Sequence, residues 1–381
     1  MAKICIISVG TLGLVYSSCE IARRLKALGH ELVLASVEPD VARLLKNKGL
    51  SFFQLSDGVP ADLHDELDRT PQGAARWRLR KIATRIRRES ALRGQGIEEL
   101  LRAEKPDLLL VESELHNSIL YLQRLSVPIM LLEYHVSVRR RAGIPPLDSR
   151  LLPAPPFVAL RSALAWGKTL LLRRKKQLLE RWHLRPCDAR SVWQQLARDA
   201  GRKLSEFARE DQWPLLFYPA IPRLNLCAPE LAFSIPKADG GFFVGPLIQR
   251  HRDEMACDRE VASCRDWLEQ RDARRPLVVC ATGSILTLPG FTARVVDASR
   301  GAPFDLLVAA GRRAKASALG QPLANVRVMR FIPQLDALAH ARLFICHGGI
   351  ASIHEGLLAG VPLLVYSGGC MDENGNAARI Q

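Results

Sequence analysis

The apolar residues of this chain fall into short runs that are separated by polar turns and by amphipathic stretches. Uninterrupted apolar runs bounded by turn residues predict buried β-strands, and apolar positions spaced three and four residues apart predict helices. In the first half, an amphipathic helix is predicted from Ser17 to Leu28, closed by Gly29. The strands predicted there are 3–9, 31–36, 51–55, 107–112 and 128–135.

The second half repeats the same alternation of strand and helix. Strands are predicted at 276–281, 304–310, 326–329, 343–346 and 363–366. Alternating strands and helices favour parallel, doubly wound sheets, which bind ligands at the carboxyl ends of their strands. Prolines and glycines cluster between the halves, so we predict an N-terminal domain at 1–225, a hinge at 226–250 and a C-terminal domain at 251–381.

Polar chemistry is concentrated after the predicted strand 343–346, in His347-Gly348-Gly349 and the helix-like run that starts at Ser352. Glycines allow close backbone approach, and the N-terminus of a helix attracts anions, so a diphosphate is the expected guest. Ser352 offers a hydroxyl and Glu355 a carboxylate for sugar hydroxyls. An alternative interpretation is a capping box, in which Ser352 and Glu355 only satisfy the first backbone donors of the helix.

A longer set of residues at matching spacing resembles the donor-binding motif of the UDP-glycosyltransferase superfamily, whose members have the GT-B fold. The resemblance implies two Rossmann-like domains with parallel sheets facing a cleft, the first binding the acceptor and the second the nucleotide sugar. It is carried by Phe331-Ile332-Pro333-Gln334, Leu338, His340, His347-Gly348-Gly349, Ser352, Glu355, Gly360-Val361-Pro362, Asp372 and Asn376-Ala377.

The resemblance also implies a role for each donor-site residue. Phe331 stands where an aromatic ring stacks on the nucleobase, and Gln334 lies beside the base and ribose. The phosphate ligands would be Gly283, Ser284, His347, Gly348, Gly349 and Ser352, the ribose ligand Glu355, and the sugar ligands Asp372 and Glu373. Glu373 replaces the usual Gln, and a carboxylate accepts hydrogen bonds without donating them, which leaves the sugar undetermined.

The first glycine turn departs from the family pattern. Inverting members carry a His or Asp there as the general base, whereas residues 10–16 contain neither and place Leu14 at the matching position. An aliphatic side chain cannot accept a proton. Either another residue acts as the base, or the acceptor needs no strong base, or the protein does not catalyse transfer.

Two histidines at predicted strand ends are candidate substitutes for the base. His116 follows the strand 107–112, close in sequence to Glu112 and Glu114, and His135 ends the strand 128–135 beside Glu133. An imidazole near its ordinary pKa is a competent general base. Isolated histidines at strand ends are also commonly structural, and that alternative stays open for both.

The net charge of +15 is concentrated in the first half, at 69–93 and at 139–185. The second segment, from Arg139 to Arg185, mixes leucines and a tryptophan with basic residues, a pattern that suits an anionic membrane surface. An ordinary amphipathic helix that packs on its domain has the same pattern. No nucleic-acid-binding module accompanies the charge, so nucleic acid is not an expected partner.

The cysteines and the apolar runs bear on compartment. The nine cysteines are odd in number and lack CxxC or zinc-site spacing, which predicts reduced core thiols and no metal site. No signal peptide and no run of membrane-spanning length is recognised. We therefore expect a cytoplasmic protein, with peripheral association at the inner face of a membrane as a further expectation.

The function expected from these features is transfer of a sugar from a UDP-type donor to an apolar or lipid-like acceptor, inverting, without a metal or other cofactor. The alternative is a catalytically impaired donor-binding or regulatory protein on the same fold. The chain ends at Gln381, in what the resemblance implies is an early helix of an incomplete C-terminal domain. The sequence leaves the sugar, the nucleobase, the acceptor and the oligomeric state undetermined.

Overall fold

The computed structural model describes the chain except for residues 46–47, 137, 155, 211, 214–215, 234–240, 250–257, 284–289, 312–322 and 369–371. The described residues form two compact units. Unit 1 comprises Met1–Pro146 and Pro153–Leu247, and unit 2 comprises Leu147–Leu152 and Ile248–Gln381. Each unit is built on its own parallel sheet.

Unit 1 contains a sheet of seven parallel strands in the order β3-β2-β1-β4-β5-β8-β9. Its strands are β1 (Lys3–Ser8), β2 (Glu31–Ser36), β3 (Ser51–Gln54), β4 (Leu108–Glu112), β5 (Ile129–Glu133), β8 (Arg223–Asn225) and β9 (Gly241–Phe243). A separate antiparallel pair joins β6 (Val138–Arg139) to β7 (Gln212–Trp213). The helices are α1 (Leu12–Ala27), α2 (Asp40–Leu45), α3 (Ala61–Arg69), α4 (Ala74–Arg93), α5 (Gln95–Glu104), α6 (His116–Leu122), α7 (Val158–Leu184), α8 (Ala189–Asp199) and α9 (Leu204–Phe207), with a 3₁₀ turn at Pro229–Leu231.

Unit 2 contains a sheet of five parallel strands in the order β12-β11-β10-β13-β14. Its strands are β10 (Leu277–Ala281), β11 (Asp305–Ala309), β12 (Val326–Met329), β13 (Ala341–Cys346) and β14 (Leu363–Val365). Its helices are α10 (Asp258–Gln270), α11 (Phe291–Ala298), α12 (Gln334–Ala339), α13 (Ile350–Leu358) and α14 (Glu373–Arg379). The prediction of two parallel-sheet α/β domains is confirmed.

Strand order decides where the site can form in each sheet. Successive strands are added on one side of β1 and then, from β4 onward, on its other side; in unit 2 the same change occurs between β10 and β13. At such a switch point the connecting loops diverge and leave a crevice at the carboxyl ends of the strands. On one side of each crevice the flanking strand, β1 or β10, is buried along nearly its whole length.

The division of the chain differs in two respects from the predicted domains. Strand β9 lies in the sheet of unit 1, although 226–250 was predicted as a hinge. Residues 147–152, from the predicted N-terminal domain, pack in unit 2. There Asn374 accepts a hydrogen bond from Arg150 Nε at 2.8 Å and donates to the carbonyl of Asp148 at 3.2 Å. Gly375 permits this approach, since an added Cβ would lie 2.0 Å from the carbonyl oxygen of Leu147.

Two predicted helix starts were wrong. Helix α1 begins at Leu12, five residues before the predicted start, because Thr11 takes the extended N-cap conformation and Val15 is fully buried. Leu14 therefore lies in the first turn of a helix. Helix α13 begins at Ile350 with Gly349 as its N-cap, two residues before the predicted start at Ser352.

The described cysteines are all buried and form no disulfide with one another, as their positions in apolar runs predict. They are Cys5, Cys19, Cys187, Cys227, Cys264, Cys280 and Cys346, while Cys257 and Cys370 lie outside the described residues. Burial raises the pKa of the Cys5 and Cys280 thiols to about 12, so both stay protonated at neutral pH. Among the helices that the structure describes, none has the length and apolar character needed to cross a membrane.

Candidate functional site

The first feature of unit 2 is an imidazole held between two glycines. Strands β10 and β13 are neighbours, so their carboxyl ends bring Gly283 beside His347. A Cβ on Gly283 would lie 2.8 Å from His347 Cε1, and one on Gly349 would lie 2.4 Å from His347 Nε2. Gly283 also has a φ of +86°, which favours glycine on conformational grounds. The two glycines therefore leave the space in which the His347 ring lies at the end of the sheet.

The surroundings of His347 favour a neutral imidazole. Burial lowers its pKa, opposed by the negative charge of Asp372 and by a hydrogen bond with the backbone of Ala281. Nδ1 is buried and has no hydrogen-bond partner among the described residues. Because a buried polar atom without a partner is costly, this nitrogen suits a ligand.

The start of helix α13 supplies the donors that an anion needs. Backbone N–H groups in the first turn of a helix have no partners within the helix. Gly349 at the N-cap has no side chain to cap them. Ser352 occupies the third helical position, so the capping box considered from the sequence does not form. The N-terminus of α13 and the His347 ring together present hydrogen-bond donors at one end of the sheet.

Gln334 and Glu355, predicted to lie near the base and ribose, are brought together by the packing of α12 against α13. Gln334 is the first residue of α12, and its Nε2 donates to Glu355 Oε2 at 2.6 Å. Glu355 is only 6% exposed. Phe331 is half-buried in the connection between β12 and α12, three residues before Gln334. In the sequence, only the spacing of the family motif pointed to Phe331, Gln334 and Glu355.

Asp372 and Glu373, predicted to bind sugar hydroxyls, lie at the N-terminus of α14 and hold local backbone. Asp372 Oδ2 accepts from Asn376 Nδ2 at 2.7 Å, and Glu373 Oε2 accepts from the N–H of Gly368 at 2.8 Å. Glu373 is 3% exposed. Their contact with a sugar remains a prediction. Ser284, predicted as a phosphate ligand, lies outside the described residues.

Two features of unit 2 carried no predicted role. Asn376 Nδ2 donates to the carbonyl of Gly348 at 3.1 Å, which ties α14 to the turn before α13. Gly348 has a φ of +95°, and a Cβ there would lie 2.9 Å from Val365 Cγ1.

Phe291 stacks on Tyr366 with ring centroids 4.2 Å apart. Tyr366 directly follows β14, and its place at a strand end was the signal that could have found it.

In unit 1, Glu112 at the end of β4 organises the first loop. Its carboxylate accepts from Ser8 Oγ at 2.5 Å and from the N–H of Val9 at 2.7 Å. Burial raises the pKa of Glu112 to about 7, although both hydrogen bonds favour the charged form. The adjoining Tyr134 hydroxyl lies 2.6 Å from Ser18 Oγ. A buried titratable carboxyl therefore sits directly under the turn where the family pattern places a base.

His116 lies in the core, with its ring against Tyr218 and Trp193. It begins α6 and is 5% exposed, with Nδ1 3.1 Å from the Tyr218 hydroxyl and its ring edge-on to Trp193. Burial lowers its pKa to about 4. Of the two carboxylates close to His116 in sequence, Glu112 binds the first loop, and Glu114 Oε1 lies 2.9 Å from Nε2 of another histidine, His135.

His135 forms the dyad instead. Its Nε2 lies 2.9 Å from Glu114 Oε1, and the side chain is 19% exposed. Glu133, which the sequence places beside His135, has its Oε2 3.5 Å from Nε of the buried Arg223. Residues that line a pocket of unit 1 are Glu133, His135, Val136, Arg223, Asn225 and Phe243. A carboxylate that orients an imidazole beside a pocket is an arrangement suited to proton transfer.

Metal chemistry has no evident ligand set here. No group of three or more His, Cys, Asp or Glu side chains that could hold a metal ion occurs within the described ranges. The absence of a metal site in the whole protein stays a prediction, as does the absence of a cofactor.

Comparison with known proteins agrees with the motif. The family model of UDP-glucoronosyl and UDP-glucosyl transferase matches residues 305–381. NDP-glycosyltransferase YjiC of Bacillus subtilis (strain 168) is 26% identical over 177 residues, which are 44% of this chain and 42% of that protein. Demethyllactenocin mycarosyltransferase of Streptomyces fradiae is 34% identical over 127 residues, 33% of this chain and 25% of that protein. The matches thus span less than half the length of these relatives.

Solved structures show the same fold over the whole chain. The glycotransferase of kitacinnamycin aligns with a TM-score of 0.63 at 20% identity, covering 100% of this chain and 83% of that one. The calicheamicin glycosyltransferase CalG4 aligns with a TM-score of 0.62 at 18% identity, with coverages of 100% and 83%. The predicted GT-B class is confirmed. The strand-end motif, the family-model match over residues 305–381 and this fold agree, and together they support a member of the UDP-glycosyltransferase superfamily.

Proposed function

We propose that this protein is a glycosyltransferase that moves a sugar from a UDP-type donor to an apolar or lipid-like acceptor, with inversion and without a metal. The observation that carries the proposal is the grouping at the strand ends of unit 2. There Gln334 binds the carboxylate of Glu355 at 2.6 Å, and His347 stands between glycines at the uncapped start of α13. The similarity to enzymes named as glycosyltransferases supports the same activity.

The donor site would act mainly on the leaving group. As the bond between the anomeric carbon and the diphosphate oxygen breaks, negative charge grows on the diphosphate. Donors fixed in place before reaction stabilise that charge without reorganisation. The first N–H groups of α13 and the Ser352 hydroxyl are those donors, and His347 joins them when the charge of the diphosphate favours its protonated form. Glu355, held by Gln334, would accept from the ribose hydroxyls while Phe331 stacks on the base.

The acceptor needs a base in unit 1, and His135 is the better placed of the two candidates. Its imidazole would take the acceptor hydroxyl proton as the acceptor oxygen bonds to the anomeric carbon. Glu114, 2.9 Å from Nε2, would orient the ring and stabilise the imidazolium. His116 is enclosed by Tyr218 and Trp193, and its pKa of about 4 makes it a weak base.

The acceptor is proposed to occupy the pocket beside His135. Its lining combines Phe243 and Val136 with the polar groups of Asn225 and Arg223. A pocket of this kind holds an apolar body and fixes the orientation of a hydroxyl. An apolar or lipid-like acceptor is met at a membrane, and we propose that the basic segment from Arg139 to Arg185 brings unit 1 to an anionic surface there.

A second candidate is a donor-binding or regulatory protein on the same fold without catalysis. The observation in its favour is Leu14, which lies in the first turn of α1 and offers no titratable group. The two candidates share nucleotide binding and differ only in transfer. Turnover by the purified protein alone, on any acceptor, removes the second candidate.

Donor hydrolysis and sugar transfer by Glu355→Ala and His347→Ala test the proposal. Each change removes a hydrogen bond to a charged or strongly polar ligand group, so we expect transfer to fall roughly tenfold to a hundredfold. Leu357→Ala is the matched control, because Leu357 lies on the same helix and is 48% exposed. Unchanged turnover in both site variants would sink the assignment.

Binding isotherms separate the nucleotide step from transfer. Calorimetry with UDP, dTDP and GDP should show one preferred nucleotide, and its affinity should drop in Glu355→Ala but not in the Leu357 control. Loss of transfer with retained nucleotide binding in His135→Ala would support the assigned base. Equal transfer by His135→Ala and the unaltered protein would refute that base and leave the donor site standing.

A further inference from the structure

Helix α7 is attached to unit 1 by one face only. Ser162, Trp166 and Thr169 are buried along that face, and Trp166 Nε1 donates to the carbonyl of Ile144 at 2.8 Å. Further along, Glu180 Oε1 lies 2.6 Å from Arg88 Nη2 and accepts from the N–H of Ala189 at 2.9 Å. These contacts fix the rotation of the helix about its axis, so the face it turns outward is defined.

The outward face of α7 carries a row of large apolar side chains, here called the outer stripe. Its members and their exposed fractions are Leu160 (59%), Leu164 (66%), Leu171 (70%), Leu178 (60%) and Trp182 (80%). At 3.6 residues per turn these positions fall within about 40° of one another around the axis, and they run along about 33 Å of helix. Single exposed leucines are normal on a surface, whereas a continuous row is typical of an interaction site.

The charges around the outer stripe have one sign. Exposed charged residues of α7 are Arg161, Lys168, Arg174, Lys175, Lys176 and Arg181. The helix contains a single acidic residue, Glu180, which is half-buried and paired with Arg88. An apolar row bordered by the cations of its own helix is complementary to a surface that is apolar within and anionic at its edge. This is the structure of a membrane that contains acidic lipids.

A second helix extends the stripe with another indole. Trp77 of α4 is 50% exposed, and its ring is edge-on to His183 at 5.4 Å. On the same imidazole lies Trp182 of the outer stripe, with ring centroids 5.0 Å apart. Lys81 Nζ is 5.4 Å from the Trp77 ring. Indoles beside cations are favoured at the boundary between lipid and water, where one end of the ring is apolar and the other is wet.

We infer that the outer stripe, together with Trp77, docks unit 1 on an anionic membrane, with α7 lying in the plane of the interface. The leucines enter the acyl boundary and the flanking cations meet lipid phosphates, which is how amphipathic interfacial helices bind. The inference deepens the proposed function and rests on it, because a lipid-like acceptor would be met at the membrane. Within the segment from Arg139 to Arg185, the inference assigns membrane contact to the outward face of helix α7.

Vesicle sedimentation with the full chain tests the charge component. Binding is expected to vesicles of phosphatidylcholine with one quarter phosphatidylglycerol, and weakly or not at all to pure phosphatidylcholine. It should weaken in 0.5 M NaCl because salt screens exposed charges. Replacing Lys168, Arg174 and Lys175 by Gln should lower affinity about fivefold for each charge, roughly a hundredfold together.

A triple variant of the same net charge serves as the control. Arg265, Arg274 and Arg300 of unit 2 have side chains that are 54%, 91% and 64% exposed. Their replacement by Gln lowers the net charge equally but leaves α7 intact. Equal loss of binding in the two triple variants would mean that overall charge, and no particular surface, attracts the vesicles, and would overturn the inference.

The apolar component has its own matched pair. Leu171→Ser should lower affinity for anionic vesicles about tenfold, since a leucine side chain buried in lipid contributes at least that much. Leu28→Ser is the control, because Leu28 is 74% exposed at the end of α1 and lies outside the stripe. Trp182→Phe should remove most of the blue shift in tryptophan emission that accompanies binding.

Three further results would overturn the inference. They are equal binding to neutral and anionic vesicles, no binding to either, or a Leu171→Ser change that turns a dimer into a monomer and leaves vesicle binding unchanged. The last would assign the outer stripe to a second copy of this chain. Transfer to a water-soluble acceptor should be retained by Leu171→Ser. A protein that binds vesicles but transfers to no acceptor would refute the proposed function and leave the docking surface intact.

Discussion

Glu112→Gln should abolish one specific component of the pH dependence of stability. In the folded protein Glu112 is 1% exposed and its pKa is raised by burial from 4.5 to about 7. The folded state therefore binds this proton more tightly than the unfolded state. The stability that results is fully present below pH 4.5 and is lost as the pH rises through 7.

The magnitude follows from the two pKa values. With 4.5 for the unfolded and about 7 for the folded state, the penalty for ionising Glu112 is about 0.8 kcal/mol at pH 5 and about 3.3 kcal/mol at pH 8. The free energy of unfolding should thus fall by about 2.5 kcal/mol between these pH values from this one group. Other titrating groups are common to protein and variant and cancel in the difference.

Glutamine is a suitable replacement because it resembles the protonated acid. Its carbonyl can accept from the Val9 N–H, and its amide can donate to Ser8 Oγ, which already accepts from the N–H of Gly10. The variant should be less stable than the natural protein at pH 5, where the native carboxyl is mostly protonated and its geometry undisturbed. The difference should shrink or reverse by pH 8.

Urea unfolding followed by tryptophan emission between pH 5 and pH 8 is the measurement. Five of the six tryptophans lie in the sequence range of unit 1, so the signal reports chiefly on the unit that contains Glu112. Glu98→Gln is a control, since Glu98 accepts from Tyr121 in the same unit without being buried in the strand-end core. Parallel pH profiles for Glu112→Gln and the natural protein would refute the reasoning, because they would mean that Glu112 does not take up a proton on folding in this range.

Three further outcomes are expected. Gly283→Ala should destabilise unit 2 by about 1–3 kcal/mol in thermal unfolding, because φ is +86° and the new Cβ would meet the His347 ring; a Tm unchanged within error would contradict this. Glu114→Gln should lower kcat roughly tenfold or more with little change in KM, as loss of an orienting carboxylate does, and should have no further effect in a His135→Ala background. Gln334→Ala should weaken UDP binding about tenfold by calorimetry, since a buried carboxylate loses its amide donor; equal affinity would remove Gln334 from the site.

Much of the fold could be predicted because parallel strands have a strong local signal. A strand covered on both faces must be apolar at nearly every position, and glycine or proline bounds it. The ten predicted strands are all present, with ends within about two residues of the predicted ones. Strands β6 to β9 were not predicted, because two or three residues are too few to show a period. The helix starts at Leu12 and Ile350 were misplaced, since neither helix begins at the apolar-periodic run that marked it, and neither N-cap residue makes a side-chain capping hydrogen bond.

The proposed donor-site residues of unit 2 could be picked out from the sequence for a related reason. His347, Gly348, Gly349 and Glu355 lie within a few residues of one another on one strand, turn and helix, so their spacing along the chain already implies their proximity. Gln334 lies on the preceding helix, and its separation from Glu355 along the chain is still within the length of the family motif. Local order therefore determined which residues face the proposed nucleotide.

Tertiary structure alone decided the partners of the charged groups in unit 1. Glu114 is two residues from His116 in sequence, yet it pairs with His135, which follows the neighbouring strand, and Glu133 pairs with Arg223 from the strand beyond. Strand order and the direction of each side chain determine such pairs, and neither is written in the local sequence. The same holds for helix α7. Its composition is apolar and basic all round, and only the burial of Trp166 against Ile144 determines which leucines remain outside.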